Sequence, residues 1–355
     1  MKIAIIGGVD DTIKCGVMDY TKMLTSSLRE NGVSVVEAAN YNNSEEAVEI
    51  SNWHKLGTYI RLVKRLKKEK VDIVQIEYPA KAYDKSIAIN LLPLICRLHR
   101  LKCVFTSHEY SNRSFLGKLR QLPSFLFANA IIVVEPQFEK DIKKLPFCGK
   151  KVRTICIGSN INKSNATENE LMELRRKVAP DGELIMAYFG FINEFKCFKE
   201  LITAISMLNK DGKLKSKLLI IGTLSEEDEY QKMILQLIKS ENLQDKVYIT
   251  GYLENGVEDY LAASDFAVLP FAYGVSVRNG SFLAAYQENI DIITSKPKSY
   301  FPYEDVYYFE DNTAHAIYDG ILKVQQTTGK KYNRHIDFNW DSVAKKHVKL
   351  YEDMM

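Results

Sequence analysis

Lys2-Ile3-Ala4-Ile5-Ile6-Gly7, then Val17-Met18-Asp19-Tyr20-Thr21-Lys22-Met23-Leu24-Thr25-Ser26-Ser27-Leu28-Arg29-Glu30-Asn31-Gly32, then Val33-Ser34-Val35-Val36-Glu37-Ala38-Ala39 decide the fold. The first and last segments are short, rich in Val and Ile and poor in alternation, as strands covered on both faces must be. Between them Val17, Tyr20, Leu24 and Leu28 recur at helical spacing, and Asn31-Gly32 supplies the stop. Strand, amphipathic helix, strand is a βαβ unit, which crosses over right-handed and builds a doubly wound parallel sheet.

Outward from this unit the same rhythm continues. Strand-length runs are expected at Val71–Tyr78, Lys102–His108, Ala130–Glu135 and Val152–Gly158. The polar, turn-rich stretch Ser159-Asn160-Ile161-Asn162-Lys163-Ser164-Asn165 reads as a connection between domains. A second βα series follows, with strands expected at Leu184–Gly190, Lys217–Gly222, Val247–Gly251, Phe266–Pro270, Asp291–Ser295 and Tyr307–Glu310. The acidic run Glu226–Glu229 is placed at the N-terminus of the next helix, where carboxylates are favoured. The expected architecture is α/β: Rossmann-like domains over residues 1–165 and 180–335, and a terminal helix over 338–355. Doubly wound sheets bind ligands at the carboxyl ends of their strands, so a cleft faced by both domains is the default site.

The chain has 355 residues, enough for two cores of ordinary size. Its 46% hydrophobic and 26% charged residues are the balance of a globular protein, and a net charge of +3 gives no reason to expect nucleic acid. Six cysteines stand without a CxxC pair or nearby histidines, which argues for free thiols rather than a zinc site or disulfide framework. The first apolar run ends at Gly7-Gly8 and Asp10-Asp11, too short for a signal peptide, and no run approaches about 20 apolar residues. A cytoplasmic protein, at most peripheral on a membrane, is the expectation.

Candidate chemistry begins in the loop Gly7–Gly16, which lacks the GxGxxG spacing of a dinucleotide site and gives no support to an NAD function. Gly16 precedes a helix whose first amides can face phosphate or sugar hydroxyls. In the second half, Phe271-Ala272-Tyr273-Gly274-Val275-Ser276-Val277-Arg278-Asn279-Gly280-Ser281 follows a strand and opens a helix, an arrangement suited to cradling phosphate.

Gly7-Gly8 with Gly16–Leu24 resembles the N-terminal signature of GT-B glycosyltransferases, in particular the large retaining group often called family 4. Val71–Tyr78 resembles that group's third strand, and Phe105-Thr106-Ser107-His108-Glu109 its strand ending in an active-site histidine. Tyr188-Phe189-Gly190-Phe191 through Lys196, with Glu200-Leu201-Ile202 and Ala204, resembles the opening of its donor domain. Phe338-Asn339-Trp340-Asp341-Ser342-Val343-Ala344 with Leu350-Tyr351 resembles its closing helix, which packs back on the first domain.

The resemblance implies an acceptor domain, a donor domain and transfer with retention from a nucleotide-sugar to a glycan or lipid-linked acceptor in surface polysaccharide assembly. Cations and helix N-termini would stabilise the departing diphosphate. No cofactor and no metal is expected, since the chain has no DxD triplet. Lys196 falls where the family places a diphosphate-binding lysine, the companion arginine falls on Phe191, and the following glycine is Cys197. Arg278 is the candidate replacement charge. Gly16, Gly274, Ser276, Gly280 and Ser281 are the remaining candidate donor contacts, and His108 is the candidate group at the transferred sugar. The family's two glutamates, eight residues apart, fall on Ser276 and Ala284, and its later Gly and Pro on Asn289 and Asp291.

Glu77 and Glu109 are strand-end carboxylates placed for an acceptor hydroxyl or for solvent. Basic-apolar stretches at Arg61–Lys68, Arg97–Lys102 and Lys118–Phe127 suit an anionic membrane face as well as ordinary outer helix faces. The substituted glutamates also fit a second reading, a non-catalytic GT-B-like subunit that binds glycan or partners an active transferase. A nucleotide-sugar epimerase shares the fold but lacks the closing Trp-containing helix.

Overall fold

The computed structural model describes residues 1–9, 15–39, 47–50, 52–111, 113–299, 301–329, 332, 334 and 338–355. Part of the first candidate loop, 10–14, lies outside them. The chain forms two units: Met1–Gly158 with Phe338–Met355, and Ser159–Asp337.

In the first unit the strands are β1 (Lys2–Val9), β2 (Ser34–Ala39), β3 (Ala47–Glu49), β4 (Ile73–Tyr78), β5 (Lys102–Ser107), β6 (Ala130–Val133) and β7 (Val152–Thr154). They form one sheet in the order β3-β2-β1-β4-β5-β6-β7, with every pairing parallel. Both faces are covered: Ile6, Val74, Ile76, Phe105 and Ile131 point into one core, and Ile3, Ile5, Ile73, Val104 and Ile132 into the other. This two-sided burial is why the strands read as predominantly apolar runs without alternation. Each fully buried aliphatic side chain contributes about 1.5–3 kcal/mol.

Helix Gly16–Glu30 lies in the second of those cores through Tyr20, Leu24 and Leu28, where it meets helix Trp340–Glu352. Gly158 makes that return possible, because a Cβ there would stand 2.9 Å from the Trp340 ring. Asn339 caps the returning helix, its side chain accepting from the Ser342 amide at 2.7 Å.

The second unit holds β8 (Leu184–Phe189), β9 (Ser216–Ile221), β10 (Val247–Ile249), β11 (Phe266–Leu269), β12 (Asp291–Ser295) and β13 (Tyr307–Phe309). Their order is β10-β9-β8-β11-β12-β13, again all parallel. Of the acidic run, Asp228 acts as the helix cap, accepting from the Gln231 amide at 2.9 Å at the start of helix Glu229–Ser240.

The segment entering this unit is fastened through Ser164. The Ser164 amide donates to Glu288 at 3.0 Å and the Ser164 hydroxyl to Asp259 at 2.6 Å. Burial pushes the Glu288 carboxyl up to about 7. A carboxyl raised in the folded state contributes stability that is full below its unfolded value of about 4.3 and is lost as pH rises through about 7. Glu288→Gln should therefore flatten the fall in thermal midpoint between about pH 5 and pH 8, measured by circular dichroism.

Candidate active site

Each sheet reverses its strand order once, between β1 and β4 in the first unit and between β8 and β11 in the second. Two crossovers leave in opposite directions at such a point and open a crevice at the carboxyl ends. The candidate residues sort between these two places.

In the second unit β8 is followed by Gly190, where φ is 130° and Ser281 lies alongside, its Cβ 3.7 Å from where a Gly190 Cβ would stand. The chain then makes the short turn Glu194–Lys196, capped by the Asn193 side chain, which accepts from the Phe195 amide at 3.0 Å. Cys197 follows in the left-handed region (φ 46°) and starts helix Phe198–Lys210. The family's glycine position thus keeps a glycine-like backbone with a side chain on it, at a cost of about 1–2 kcal/mol. That turn aims Lys196 at the loop after β11: its Nζ sits 4.3 Å from the centroid of the Phe271 ring. Partial burial holds the Lys196 ammonium below its ordinary pKa. The Ala272 amide donates to the Phe195 carbonyl at 3.0 Å, and the Phe195 and Tyr273 rings stack 6.0 Å apart. Lys298 lies 5.6 Å from the Tyr273 ring.

The loop itself is tightly determined. The Phe271 amide donates to Ser295 Oγ at 2.7 Å, and Asn312 Nδ2 donates to the Phe271 carbonyl at 3.0 Å. The Ser276 amide donates to Asn279 Oδ1 at 2.7 Å, and the Arg278 amide to Ser276 Oγ at 3.3 Å. Asn279 therefore spends its side chain on the turn and gives helix Gly280–Gln287 no side-chain cap. The amides of Phe282 and Leu283 go to the Asn279 carbonyl, so Gly280 and Ser281 are the residues that present the start of this helix. Helix starts of this kind attract anions through their amides and dipole.

Glycine has different meanings at the two candidate positions. At Gly274 (φ 81°) a Cβ would fall 2.4 Å from the Lys296 carbonyl, so this glycine serves the turn and its packing on the protein's own backbone. The expected close approach of a ligand there is corrected accordingly. At Gly280 nothing lies within 4 Å of an added Cβ, which leaves room for a ligand against the backbone. Ser276 is likewise a turn residue, its hydroxyl already accepting inside the loop.

In the first unit His108 follows β5 directly and is 6% exposed. Its Nε2 lies 2.7 Å from Glu77 Oε2, and its ring stands edge-on to Tyr20 at 4.6 Å. Glu77 is fully buried and also accepts from Thr106 Oγ1 at 3.1 Å and from Gln75 Nε2. Glu77 thus faces inward, and its expected availability to an acceptor hydroxyl is corrected: the carboxyl is occupied in holding the imidazole. Glu109 pairs instead with Arg113 at 2.6 Å. Gly16 opens the helix that carries Tyr20, and it is exposed, with nothing among the described residues within 4 Å of an added Cβ.

The network continues into the terminal helix. Tyr351 donates to Gln75 Oε1, and the Tyr20 hydroxyl lies 3.3 Å from His347 Nε2. Burial pushes the His347 imidazole below its ordinary pKa. Its neutral Nδ1–H donates to the Val343 carbonyl at 2.9 Å, so Nε2 accepts from Tyr20. Sequence reasoning marked Glu77 as a strand-end carboxylate but gave no sign of its direction, and it did not mark Gln75, His347, Phe195 or Lys298.

Among the described residues no group of three or more His, Cys, Asp or Glu side chains is placed to hold a metal ion. The structure therefore brings Lys196 to the loop carrying Gly274, Ser276, Arg278, Gly280 and Ser281 in one unit, and His108 to the helix begun by Gly16 in the other.

Residues 172–277 match the profile of the family described as glycosyl transferases group 1. A glycosyltransferase from Rickettsia africae is similar in structure at 18% identity, with a TM-score of 0.75 over 99% of this chain and 98% of that one. HepE of Anabaena, solved with UDP, is similar at 12% identity, with a TM-score of 0.69 over 99% of this chain and 100% of that one. WaaG, a glycosyltransferase involved in lipopolysaccharide biosynthesis, is similar at 14% identity, with a TM-score of 0.59 over 99% of this chain and 98% of that one. These likenesses identify the two-domain GT-B fold. No curated protein matches the chain by sequence.

Replacing Glu77 strands three buried donors, so Glu77→Ala should destabilise the protein by about 3–5 kcal/mol in urea unfolding. An exposed carboxylate would cost close to nothing on the same assay.

Proposed function

We propose that this chain, which matches the glycosyl transferases group 1 profile over residues 172–277 of its second unit, moves a sugar from a nucleotide-sugar to a glycan or lipid-linked acceptor with retention. The single observation behind this reading is the β8–β11 crevice, where Lys196 overlies the loop that leads into an uncapped helix start at Gly280. That is the chemistry a departing nucleoside diphosphate demands: positive charge and oriented amides, fixed before the bond breaks.

Lys196 would supply charge at the phosphates, and its partial burial strengthens its attraction for an anion. Arg278, on the same loop, would take the part of the cation missing at Phe191. Gly280 and Ser281 would give the amides that receive phosphate oxygens. His108, held by Glu77 and Tyr20, would meet the transferred sugar. With charge supplied by these residues, the reaction would need no metal.

Surface polysaccharide assembly, on the cytoplasmic side and peripheral to a membrane, is the setting that suits a lipid-linked acceptor. No helix among the described residues is long and apolar enough to cross a membrane. The second reading, a glycan-binding subunit without activity, rests on Ser276 and Ala284 standing where the family's glutamates fall.

Calorimetry with UDP, GDP and ADP in the presence of EDTA separates the two. A transferase should bind one of them, and Lys196→Ala and Arg278→Ala should each weaken that binding about 10- to 100-fold, the range of a lost charge-assisted contact of about 1.5–3 kcal/mol. Unchanged affinity in both variants would refute the site, and no binding of any nucleotide would favour the subunit.

A further inference from the structure

The loops of the β8–β11 crevice carry aromatic rings turned to solvent. Phe191 and Phe195, which follow β8, are 87% and 53% exposed, and Tyr273, which follows β11, is 69% exposed. A lone exposed ring is ordinary on a protein surface, but rings gathered beside a ligand crevice mark a contact face.

Two of these rings form one face. Phe195 and Tyr273 stack with centroids 6.0 Å apart and planes 26° from parallel. Their backbones are pinned. The Phe195 amide donates to Asn193 Oδ1 at 3.0 Å, and the Phe195 carbonyl accepts from the Ala272 amide at 3.0 Å. Beyond Tyr273 the Gly274 amide donates to the Phe271 carbonyl at 2.9 Å and closes the turn. Having no side chain, Gly274 lies against the segment after β12: an added Cβ would stand 3.3 Å from the Lys298 backbone nitrogen as well as 2.4 Å from the Lys296 carbonyl. That approach brings Lys298 Nζ to 5.6 Å from the Tyr273 ring centroid.

Charge narrows the occupant. Residues 190–197, 270–281 and 296–298 carry four cations, Lys196, Arg278, Lys296 and Lys298, against one carboxylate, Glu194. Lys296 is paired with Glu310 at 2.6 Å, and Lys196 and Arg278 belong to the departing diphosphate in the donor reading. Lys298 is surplus to the donor and stands beside the stacked rings. The face of an aromatic ring is its negative side and attracts the C–H hydrogens on the flat side of a pyranose. A nucleobase would stack there too, but it brings no negative charge to an ammonium. A sugar ring bearing a carboxylate or phosphate meets both features at once.

We propose that Phe195, Tyr273 and Lys298 form a subsite for an acidic acceptor sugar, its pyranose ring stacked on the Phe195–Tyr273 face and its carboxylate or phosphate at the Lys298 ammonium. The inference rests on the reading of the crevice as the donor site and adds the chemical class of the sugar that receives the transferred unit.

The test is saturation-transfer NMR of the full chain with glucose, glucuronic acid and glucose 6-phosphate, each with and without saturating UDP or GDP. Wild type should bind at least one acidic probe about tenfold or more tightly than glucose, with nucleotide present, and high salt should erode that preference. The uronate arm and the phosphate arm tell which anion the subsite takes, and a preference in either supports it. Lys298→Gln should abolish the preference, and Tyr273→Ala should weaken the acidic probe about fivefold or more. Both positions are exposed, and an unchanged thermal midpoint confirms folding. Equal binding of acidic and neutral probes, no binding of any probe, or a preference that survives Lys298→Gln overturns the proposal. So does displacement of the acidic probe by nucleotide, since the probe would then occupy the donor site. Calorimetry with UDP, GDP and ADP on the same samples keeps the two readings apart. Absence of nucleotide binding by wild type counts against the donor site, whereas nucleotide binding lost in Tyr273→Ala overturns the subsite by placing the base on the rings.

Discussion

A parallel sheet covered on both faces leaves its ligands only the ends of its strands, and this constraint organises both units. The strands are mostly apolar because helices lie on either side, and the buried exceptions, Gln75 and Glu77 in β4 and Thr106 in β5, are hydrogen-bonded to one another. Polar chemistry therefore gathers toward the strand ends, around Glu77 of β4 and His108 after β5 in one unit and in the loops after β8 and β11 in the other. At β8 and β11 this brings together Gly190, Lys196 and the turn Ser276–Ser281. Nothing on the sheet faces could have held a cation or a free amide at comparable cost.

The loops are firm because their own polar groups are consumed locally. Asn279 bridges to the Ser276 amide, Ser295 and Asn312 hold Phe271, and the Phe195 carbonyl takes the Ala272 amide. What these bonds leave over is the start of helix Gly280–Gln287, at the end of a loop whose Phe271 ring a half-buried lysine overlies. In the first unit the same economy produces a different result. Glu77, fully buried, cannot remain unpaired, and three neighbours answer it, one of them His108. Tyr351 and His347 extend that cluster into the terminal helix, so the last residues of the chain help set the posture of an imidazole near its first quarter.

Much of this was legible in the residues. Twelve runs of strand length were marked from apolar pattern, and the twelve fall on β1, β2 and β4 to β13. β3 escaped because three residues at a sheet edge carry no period. The strand ends were set too late at several places, as at β6 and β7, since apolar residues continue past the last ladder bond. Lys196 and the loop after β11 were visible as charge and glycine following a strand. The direction of Glu77 was not, because a strand buried on both faces gives no alternation from which to infer the side a carboxyl takes. Gly274 was visible as a glycine, but only the position of the Lys296 carbonyl tells that its missing side chain makes room for protein rather than ligand. Helix Phe115–Phe127 showed as an apolar stretch with lysine and arginine, and only its burial reveals that the polar residues Gln121 and Ser124 face inward.

The central claim is that the second unit grips a pyrophosphate at the start of helix Gly280–Gln287. A crystal structure of the protein soaked with UDP or GDP tests it most directly. The account predicts pyrophosphate oxygens within hydrogen-bond distance of the Gly280 or Ser281 amide and of Lys196 Nζ, with the Arg278 guanidinium turned toward the same group. A nucleotide seated elsewhere, with Lys196 and Arg278 directed to opposite outer surfaces, would contradict it.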